Sequence, residues 1–454
     1  MRGGTILHEL NPVLYPVMQE DFLHYVWQHQ YFDKAALCTE QGDEVVVLRP
    51  GYRNSDAGPD FLNARLMLGD VEWNGAVEIH LRASDWHRHQ HQTDRKYDQV
   101  VLHVVFTADQ PVRRTDGTIV PVLALAPRIA PSLLAAYEAL MSGPAPEVLP
   151  CAGALPAVPE LTRLMMVERV LMERVAEKAD AILELHEQAG HDWESTAWLA
   201  LAAGFGFKKN TDALTQLAQA LPLPVLRRHR HDLRQTEALL FGQAGLLPVA
   251  SESPDDYCRD LRREYDFLAH KYSLVGQALP AHAWNFLRLR PANFPTVRLA
   301  QLAALLHAQP RLFQPLHDAP DVAALEKLLL LPLSTYWQTH YRPGVPAAAK
   351  VAGLGRSSAQ LLIVNVVMPL RVAHAKSIDN PAGVEAAVEL LNQLPREQNR
   401  VLAPYEALQF RHRTAADSQG LLALHRGYCQ PRRCLHCAIG SRILQRNLPA
   451  NSTR

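Results

Sequence analysis

The chain has 454 residues, of which 48% are hydrophobic and 20% charged, and its 46 basic side chains balance its 46 acidic ones. This length exceeds one core of ordinary size and predicts two or three domains, while zero net charge excludes a global basic field for nucleic-acid binding. No apolar run reaches the ~20 residues of a membrane span, and residues 1–5 lack the apolar core of a signal peptide, so we expect a cytoplasmic protein without a membrane partner.

Residues 1–130 carry the pattern of a mixed α/β (α+β) domain. Residues 14–30 have helical spacing, and a short helix is expected to begin near Thr93. Strand-like segments bounded by turn residues cover 44–48, 61–68, 76–81, 100–107 and 118–125. Together these elements predict a mainly antiparallel sheet with a few helices.

From residue 131 onward the hydrophobic period becomes that of helices. Helical spacing covers 131–142, 160–188, 193–220, 231–246, 254–273, 296–308, 321–331, 357–375, 382–393 and 417–426. We therefore predict a large all-α region over residues 131–454. The Pro-rich stretch 143–146 is the expected boundary segment.

Two acidic residues, Asp60 and Glu78, lie on consecutive predicted strands. A hairpin that turns at Gly69-Asp70 would place Asp60 opposite Ile79, because the residue numbers of each antiparallel pair add up to the same value along the hairpin. Glu78 and His80 point to the other face, since side chains alternate along a strand. Asp60 therefore needs a bulge or a local twist to join them.

Two other registers remain open. A three-residue turn would pair Asp60 directly with His80, and a turn at Asn74-Gly75 would place Asp60 opposite His89. In the favoured hairpin, two carboxylates beside an apolar sheet are costly unless a cation compensates them. Carboxylate oxygens suit Mg²⁺ or Mn²⁺, so the acidic pair predicts a site for one of these ions.

The order of motifs resembles a known superfamily of nucleases. Pro59-Asp60 enters one strand, Glu78-x-His80 lies on the next, and a helix and a further strand follow. This pattern, over about residues 14–110, is similar to that of the PD-(D/E)xK nuclease superfamily. His80 stands where that superfamily has lysine.

The resemblance implies a role for each of these residues. Asp60 and Glu78 would hold Mg²⁺ or Mn²⁺, and His80 would be a third ligand or a general base. Lys96 would supply the missing cation and stabilise phosphate charge, and Glu20 would be an outer acid.

A run of alternating histidines offers a different site. In an extended segment, His87, His89 and His91 would face one way and bind Zn²⁺, with Asp94 adding an oxygen. In a helix, the same three imidazoles would be scattered. The alternative is a polar loop without a metal.

Three cysteines lie close together near the C-terminal end of the sequence. Cys429, Cys434 and Cys437 offer three thiolates that suit Zn²⁺ or an iron–sulfur cluster. The fourth ligand would be a histidine or one of the remaining cysteines: Cys38, Cys151 or Cys258. Some PD-(D/E)xK nucleases are similar, with one upstream and three C-terminal cysteines around an iron–sulfur cluster. The alternative is a set of ordinary buried cysteines.

Two basic clusters occur in the helical region. Arg227 and Arg228 form one, and Arg288 and Arg290 belong to the other. With nearby aromatic residues they predict contacts with DNA or RNA. The alternative is solvated or ion-paired helix ends.

The whole chain also resembles a bacterial family known only as a domain of unknown function. The stretches that carry this resemblance are Gly58–Phe61, Val77–His80, Ser84–Trp86, Glu237–Gly245, Arg288–Pro295 and Tyr428-Cys429. The leading hypothesis is a metal-dependent phosphodiesterase or nuclease that acts on nucleic acid. The alternatives are a catalytically inactive nuclease-like scaffold that binds nucleic acid or protein, and a zinc hydrolase built on the histidine run.

Overall fold

A computed structural model describes residues 18–142, 149–249 and 255–448. Residues 14–17 of the first predicted helix and the predicted boundary segment 143–146 lie outside the described residues. The chain folds into two compact units. Unit 1 takes its residues from ranges 1–167, 400–410 and 422–454, and unit 2 from 168–399 and 411–421.

This division differs from the predicted one at residue 130, which followed the change in hydrophobic period. Unit 1 includes helices beyond that position and two segments from the far end of the sequence. Contacts in space define the units, and the period of a segment does not show where that segment packs. The C-terminal cysteines consequently lie in the same unit as the sheet.

The α-helices of the described residues are, in chain order, α1 Glu20–His29, α2 Asp85–Arg88, α3 Pro131–Ser142, α4 Glu160–Gln188, α5 Trp193–Phe205, α6 Thr211–Ala220, α7 Leu223–His229, α8 Leu233–Gln243, α9 Asp256–Lys271, α10 Pro295–Ala308, α11 Phe313–Asp318, α12 Val322–Leu329, α13 Arg356–Leu362, α14 Met368–Ser377, α15 Pro381–Gln393, α16 Ala403–Ala407, α17 Ala415–Leu424 and α18 Ala438–Arg446. An N-terminal region with a mixed sheet is thus followed by a large helical region, as predicted.

Unit 1 is built on a six-stranded sheet. Its strands are β1 Val45–Arg49, β2 Tyr52–Arg53, β3 Phe61–Leu68, β4 Val71–Arg82, β5 Val100–Thr107 and β6 Val122–Ala124. The order is β1-β3-β4-β5-β6, and β2 also pairs with β3. The pairs made by β3 are antiparallel, as predicted, whereas β4–β5 and β5–β6 are parallel. The β4–β5 pair is parallel because residues 83–99 cross over from the end of β4 to the start of β5, and residues 108–121 do the same between β5 and β6.

Strands β3 and β4 form the predicted hairpin, with its turn at Gly69-Asp70. The pairing shifts by one residue between Phe61 and Ala64. Between them, Asn63 has a φ of 56°, in the left-handed region. This extra residue forms a β-bulge, so the β3 residues before it pair with β4 residues one position lower in number than the uniform register would give.

The bulge decides which side chain meets Asp60. Phe61 lies opposite Val77, so continuing the shifted register places Asp60 opposite Glu78. Without the bulge, Asp60 would lie opposite Ile79, as the uniform register predicts. The local irregularity that the sequence required is therefore present.

We expect a change at Asn63 to test the bulge directly. Asn63→Val should lower the stability of unit 1 by about 1–2 kcal/mol, because a β-branched residue is strained at positive φ. Asn63→Gly, which tolerates this backbone, is the matched control and should leave stability nearly unchanged. The midpoint of thermal unfolding measures the difference. Equal midpoints for the valine and glycine variants would contradict a left-handed residue 63.

Unit 2 has a helical core and a small two-stranded sheet, β7 His340–Arg342 and β8 Val345–Pro346. Helix α10 is buried on all sides from Pro295 to Leu306, as a central helix should be.

Helices α13 and α14, with the residues between them, form one continuous helix, Arg356–Ser377. Among the described residues, it is the one helix that is long and apolar enough to cross a membrane by length and composition. A buried core helix passes the same test, and 67% of its apolar window is buried.

Candidate metal centre

Asp60 and Glu78 meet at the mouth of the β3–β4 hairpin. The Asp60 backbone N–H donates to Glu78 Oε2 at 3.1 Å, and the Ile79 N–H donates to Asp60 Oδ2 at 2.9 Å. Glu78 is buried, with 5% of its surface exposed. Each residue thus fixes the other through the backbone, and both carboxylates are held at one point.

Three imidazoles approach these carboxylates. His91 Nε2 lies 3.2 Å and His80 Nε2 3.5 Å from Glu78 Oε1. His24 Nε2, from helix α1, lies 3.2 Å from Asp60 Oδ2. The acidic pair is therefore surrounded by nitrogen donors from three separate segments of unit 1.

The histidine run contributes two members to this group. One ring nitrogen each of His80, His89 and His91 lies within 4.8 Å of the other two. His80 Nε2 is 3.0 Å from His89 Nδ1, and His80 Nδ1 is 2.9 Å from His103 Nε2 on β5. His87 does not join them, as expected for the helical alternative and not for the extended one. It is exposed, because helix α2 turns residues 85–88 so that successive side chains no longer face one way.

Besides His103 Nδ1, two imidazole nitrogens of this group are buried and have no hydrogen bond. They are His24 Nε2 and His91 Nε2, each 3.2 Å from a carboxylate oxygen but without the geometry of a hydrogen bond. Leaving such groups unsatisfied costs free energy. Ligands of one metal ion point at the ion and not at each other, so their mutual contacts are short and unbonded. The donor set of carboxylate oxygens and imidazole nitrogens fits a divalent metal ion.

Burial changes the protonation of the centre. Desolvation is the main cause, and the nearby Asp60 carboxylate the second, that raises the pKa of Glu78 to about 9. Desolvation, followed by His103, lowers the pKa of His80 to about 2, and burial also lowers the pKa of His91. His80 and His91 are therefore neutral at pH 7, which is the form that binds metals.

Glu20 lies at the edge of this group. It is the first residue of α1, and burial raises its pKa, while the charges of His89 and Asp60 act on it as well. The predicted place of Glu20 outside the acidic pair agrees with these neighbours.

Lys96 does not reach the acidic pair. Its side chain is exposed on the 3₁₀ segment Arg95–Gln99, whose N-cap Asp94 accepts the Lys96 backbone N–H at 3.0 Å. The structure gives no hydrogen bond or ion pair of the Lys96 ammonium with the carboxylates in the described part of the chain. Instead, the Tyr97 ring stacks on His91 with ring centroids 3.6 Å apart.

Two guanidinium groups contact the outer histidines. Arg53 Nη2 lies 3.1 Å from His24 Nδ1 and forms an ion pair with Asp21. Arg88 Nη2 lies 3.5 Å from His89 Nε2. Contacts to the second nitrogen of a ligating imidazole orient its ring.

His24 and His103 were not among the site residues predicted from the sequence. His103 was detectable, because it is the only polar residue in the otherwise apolar segment 100–106 and is completely buried. His24 follows Glu20 by four residues and so shares its helix face. That spacing is common, and only the packing of α1 against β4 identifies it.

The other predicted ligands and contacts lie elsewhere. The four predicted thiol ligands all belong to unit 1: Cys151, Cys429, Cys434 and Cys437. The four predicted nucleic-acid contacts are exposed residues of unit 2: Arg227, Arg228, Arg288 and Arg290. Arg228 lies 6.0 Å over the ring of Tyr272, which favours a partly structural role for this residue.

Comparison with known proteins gives a family without an assigned activity. A family model described as a protein of unknown function (DUF2851) matches residues 20–400. No curated protein and no solved structure matches the chain. The matched range starts at the first residue of α1 and contains every residue of the candidate metal centre.

Proposed function

Because the chain belongs to the family described as a protein of unknown function (DUF2851), we propose its function from the centre itself: metal-dependent hydrolysis of phosphodiester bonds in nucleic acid. The observation that carries this proposal is the meeting of Asp60 and Glu78 with two buried imidazole nitrogens, His24 Nε2 and His91 Nε2, that have no hydrogen bond. The resemblance of the Asp60 and Glu78 motifs to PD-(D/E)xK nucleases supports the same reaction class.

The donor set narrows the choice of metal. Mg²⁺ prefers oxygen ligands and retains several waters, whereas imidazole suits Zn²⁺ and other transition metals. Mn²⁺ accepts carboxylate oxygens. His24, His80 and His91 therefore favour Mn²⁺ or Zn²⁺ over Mg²⁺ at the acidic pair.

In the proposed reaction, different side chains bind the metal, orient the ligands and exchange protons. Asp60 and Glu78 would hold a divalent cation, and its binding would displace the proton that burial keeps on Glu78. When bound, such an ion would polarise the phosphate and lower the pKa of an attacking water. The contact of His103 with His80 Nδ1 leaves His80 Nε2 facing the centre. His89 is exposed, so it can exchange a proton with solvent.

The neighbouring cations favour a phosphate substrate. The Arg88 side chain is 67% exposed beside His89, and the Arg53 side chain is 33% exposed beside His24. Both guanidinium groups have an aspartate partner and still present free donors, since each has five N–H groups. A phosphate that reaches the centre would meet positive charge on both sides.

One observation favours a second candidate, a catalytically inactive scaffold that binds nucleic acid or protein. Both ring nitrogens of His80 contact other imidazoles, and 2% of its surface is exposed. His80 thus has no free nitrogen for a substrate proton, although it occupies the lysine position of the nuclease motif. In that case, a metal at the centre would only stabilise unit 1.

Metal analysis and cleavage assays on the purified full chain distinguish the hydrolase from the inactive scaffold. We expect about one Mn²⁺ or Zn²⁺ ion per chain at the centre, and cleavage of plasmid DNA, single-stranded DNA or RNA that stops on chelation and returns with Mn²⁺ or Zn²⁺. A metal-loaded protein that cleaves none of these substrates supports the scaffold. A protein that binds no divalent metal contradicts the hydrolase.

A further inference from the structure

Unit 1 collects four cysteines from two distant parts of the sequence. Cys151 lies between α3 and α4, and the other three follow α17. Cys429 ends the π-helix His425–Cys429, Cys434 begins a 3₁₀ turn, and Cys437 is the N-cap of α18. None of the four forms a disulfide, so no covalent bond joins the two segments.

Hydrogen bonds hold the two parts together on either side of Cys151. The Arg432 guanidinium donates to the Leu140 carbonyl at the end of α3, at 3.4 Å, and to the Met141 carbonyl. The Arg446 guanidinium donates to the Ala157 carbonyl, beyond Cys151. The segment that carries three cysteines is therefore fixed against the segment that carries the fourth.

The four thiols are close enough to influence one another; Cys434 and Cys437 are buried, and Cys151 and Cys429 are partly buried. Burial is the first cause that raises the pKa of Cys151, Cys429 and Cys434 to about 12 in each case. The neighbouring thiols are further causes: Cys434 and Cys437 act on Cys151, and Cys151 and Cys437 act on Cys429. Cys437 is 8% exposed.

The surroundings of the thiols are tightly packed. Tyr405 is completely buried, and its hydroxyl hydrogen-bonds the Cys429 thiol. At Gly440, in the first turn of α18, an added Cβ would lie 2.1 Å from the Cys434 carbonyl oxygen. The loop between Cys434 and α18 therefore has little room to rearrange.

We propose that Cys151, Cys429, Cys434 and Cys437 form a four-thiolate metal centre, separate from the histidine centre and independent of the proposed hydrolase activity. Four convergent cysteine thiols suit a zinc ion or an iron–sulfur cluster. Among the described residues, the group whose ligand atoms all lie within 4.8 Å of one another is His80, His89 and His91. The four thiols do not meet this distance. The thiols are spaced more widely than a single zinc ion with bonds of ~2.3 Å requires, so we expect iron.

The experiment measures iron, acid-labile sulfide and zinc in the full chain purified without oxygen. Cys151→Ser and Cys434→Ser should each abolish binding of the thiolate-bound metal while leaving the Mn²⁺ affinity of the histidine centre in place. Cys258→Ser, a buried cysteine of unit 2, and Cys38→Ser, an exposed one, are the matched controls and should retain that metal. Iron with sulfide identifies a cluster and zinc identifies a single ion, and either supports the centre.

A second measurement covers variants that fail to fold. In the native wild-type chain, alkylation followed by mass spectrometry should find the four cysteines protected until the metal is chelated or oxidised. Cys258 should not change on metal removal, because burial alone protects it. Wild-type protein without iron or zinc would overturn the proposal, and so would metal that survives in both Cys151→Ser and Cys434→Ser.

Discussion

Glu78→Gln is expected to remove the metal-dependent hydrolysis that we propose, by about a thousandfold or about 4 kcal/mol of transition-state stabilisation. Glutamine has the size of glutamate, and its carbonyl oxygen can still accept the Asp60 N–H that Glu78 accepts at 3.1 Å. Burial raises the pKa of Glu78, so this carboxyl group would ionise when a cation binds. The substitution removes that ability with little change in packing. Metal content and the rate of nucleic-acid cleavage are the two measurements.

A control on the same strand separates the local effect from a general one. Glu72→Gln on β4 also removes one carboxylate, but Glu72 is exposed and pairs with Arg65 at 2.6 Å. Exposed pairs contribute little, so metal content and rate should stay near those of the wild type. If Glu78→Gln kept the metal and the full rate, the centre would not lie at the acidic pair.

Gly75→Ala is expected to destabilise unit 1 by about 2–4 kcal/mol, because the added methyl group has no space. An ideal Cβ at Gly75 would lie 2.4 Å from Val101 Cγ1 and 2.6 Å from the Gln99 carbonyl oxygen. The carbonyl belongs to the backbone and cannot rotate away, so β4 and β5 must separate. Since Glu78 and His80 lie on β4 and His103 on β5, metal affinity should fall as well.

Thermal unfolding and metal titration of Gly75→Ala measure these two effects. Gly153→Ala is the matched control in unit 1, because its added Cβ meets nothing within 4 Å. We expect the control to unfold at the wild-type temperature. An unchanged midpoint for Gly75→Ala would mean that β4 and β5 are not packed as closely as described.

Alternation and turn residues were enough to predict the β3–β4 hairpin and its turn at Gly69-Asp70. Those patterns are local, and each constrains residues only a few positions apart. The bulge at Asn63 was required by the chemistry of the acidic pair, but its position depends on the φ angle of one residue. Asparagine tolerates that conformation without demanding it, so the sequence alone did not locate the bulge.

The parallel part of the sheet and two of the histidines could not be predicted in the same way. The pairing of β4 with β5 depends on how residues 83–99 cross between the strands, and no turn motif specifies that path. His24 and His103 reach the centre through α1 and β5, which are distant in sequence from Glu78. Long-range packing places them. The sequence marks His103 as the one polar residue of an apolar segment, but it does not show what either histidine contacts.

The chain path of unit 1 has a consequence for its synthesis. Helix α1, which carries His24, is bonded to α18 by the Tyr25 hydroxyl and Ser441 Oγ at 2.9 Å, and Gln445 Nε2 donates to the Tyr31 hydroxyl at 3.0 Å. A ribosome makes α1 early and α18 only after all of unit 2. At ~5–20 residues per second, the nascent chain exposes the partner surface of α1 for on the order of tens of seconds. Premature termination before α18 would therefore leave α1, which carries His24, packed against β4 but without its bonds to α18.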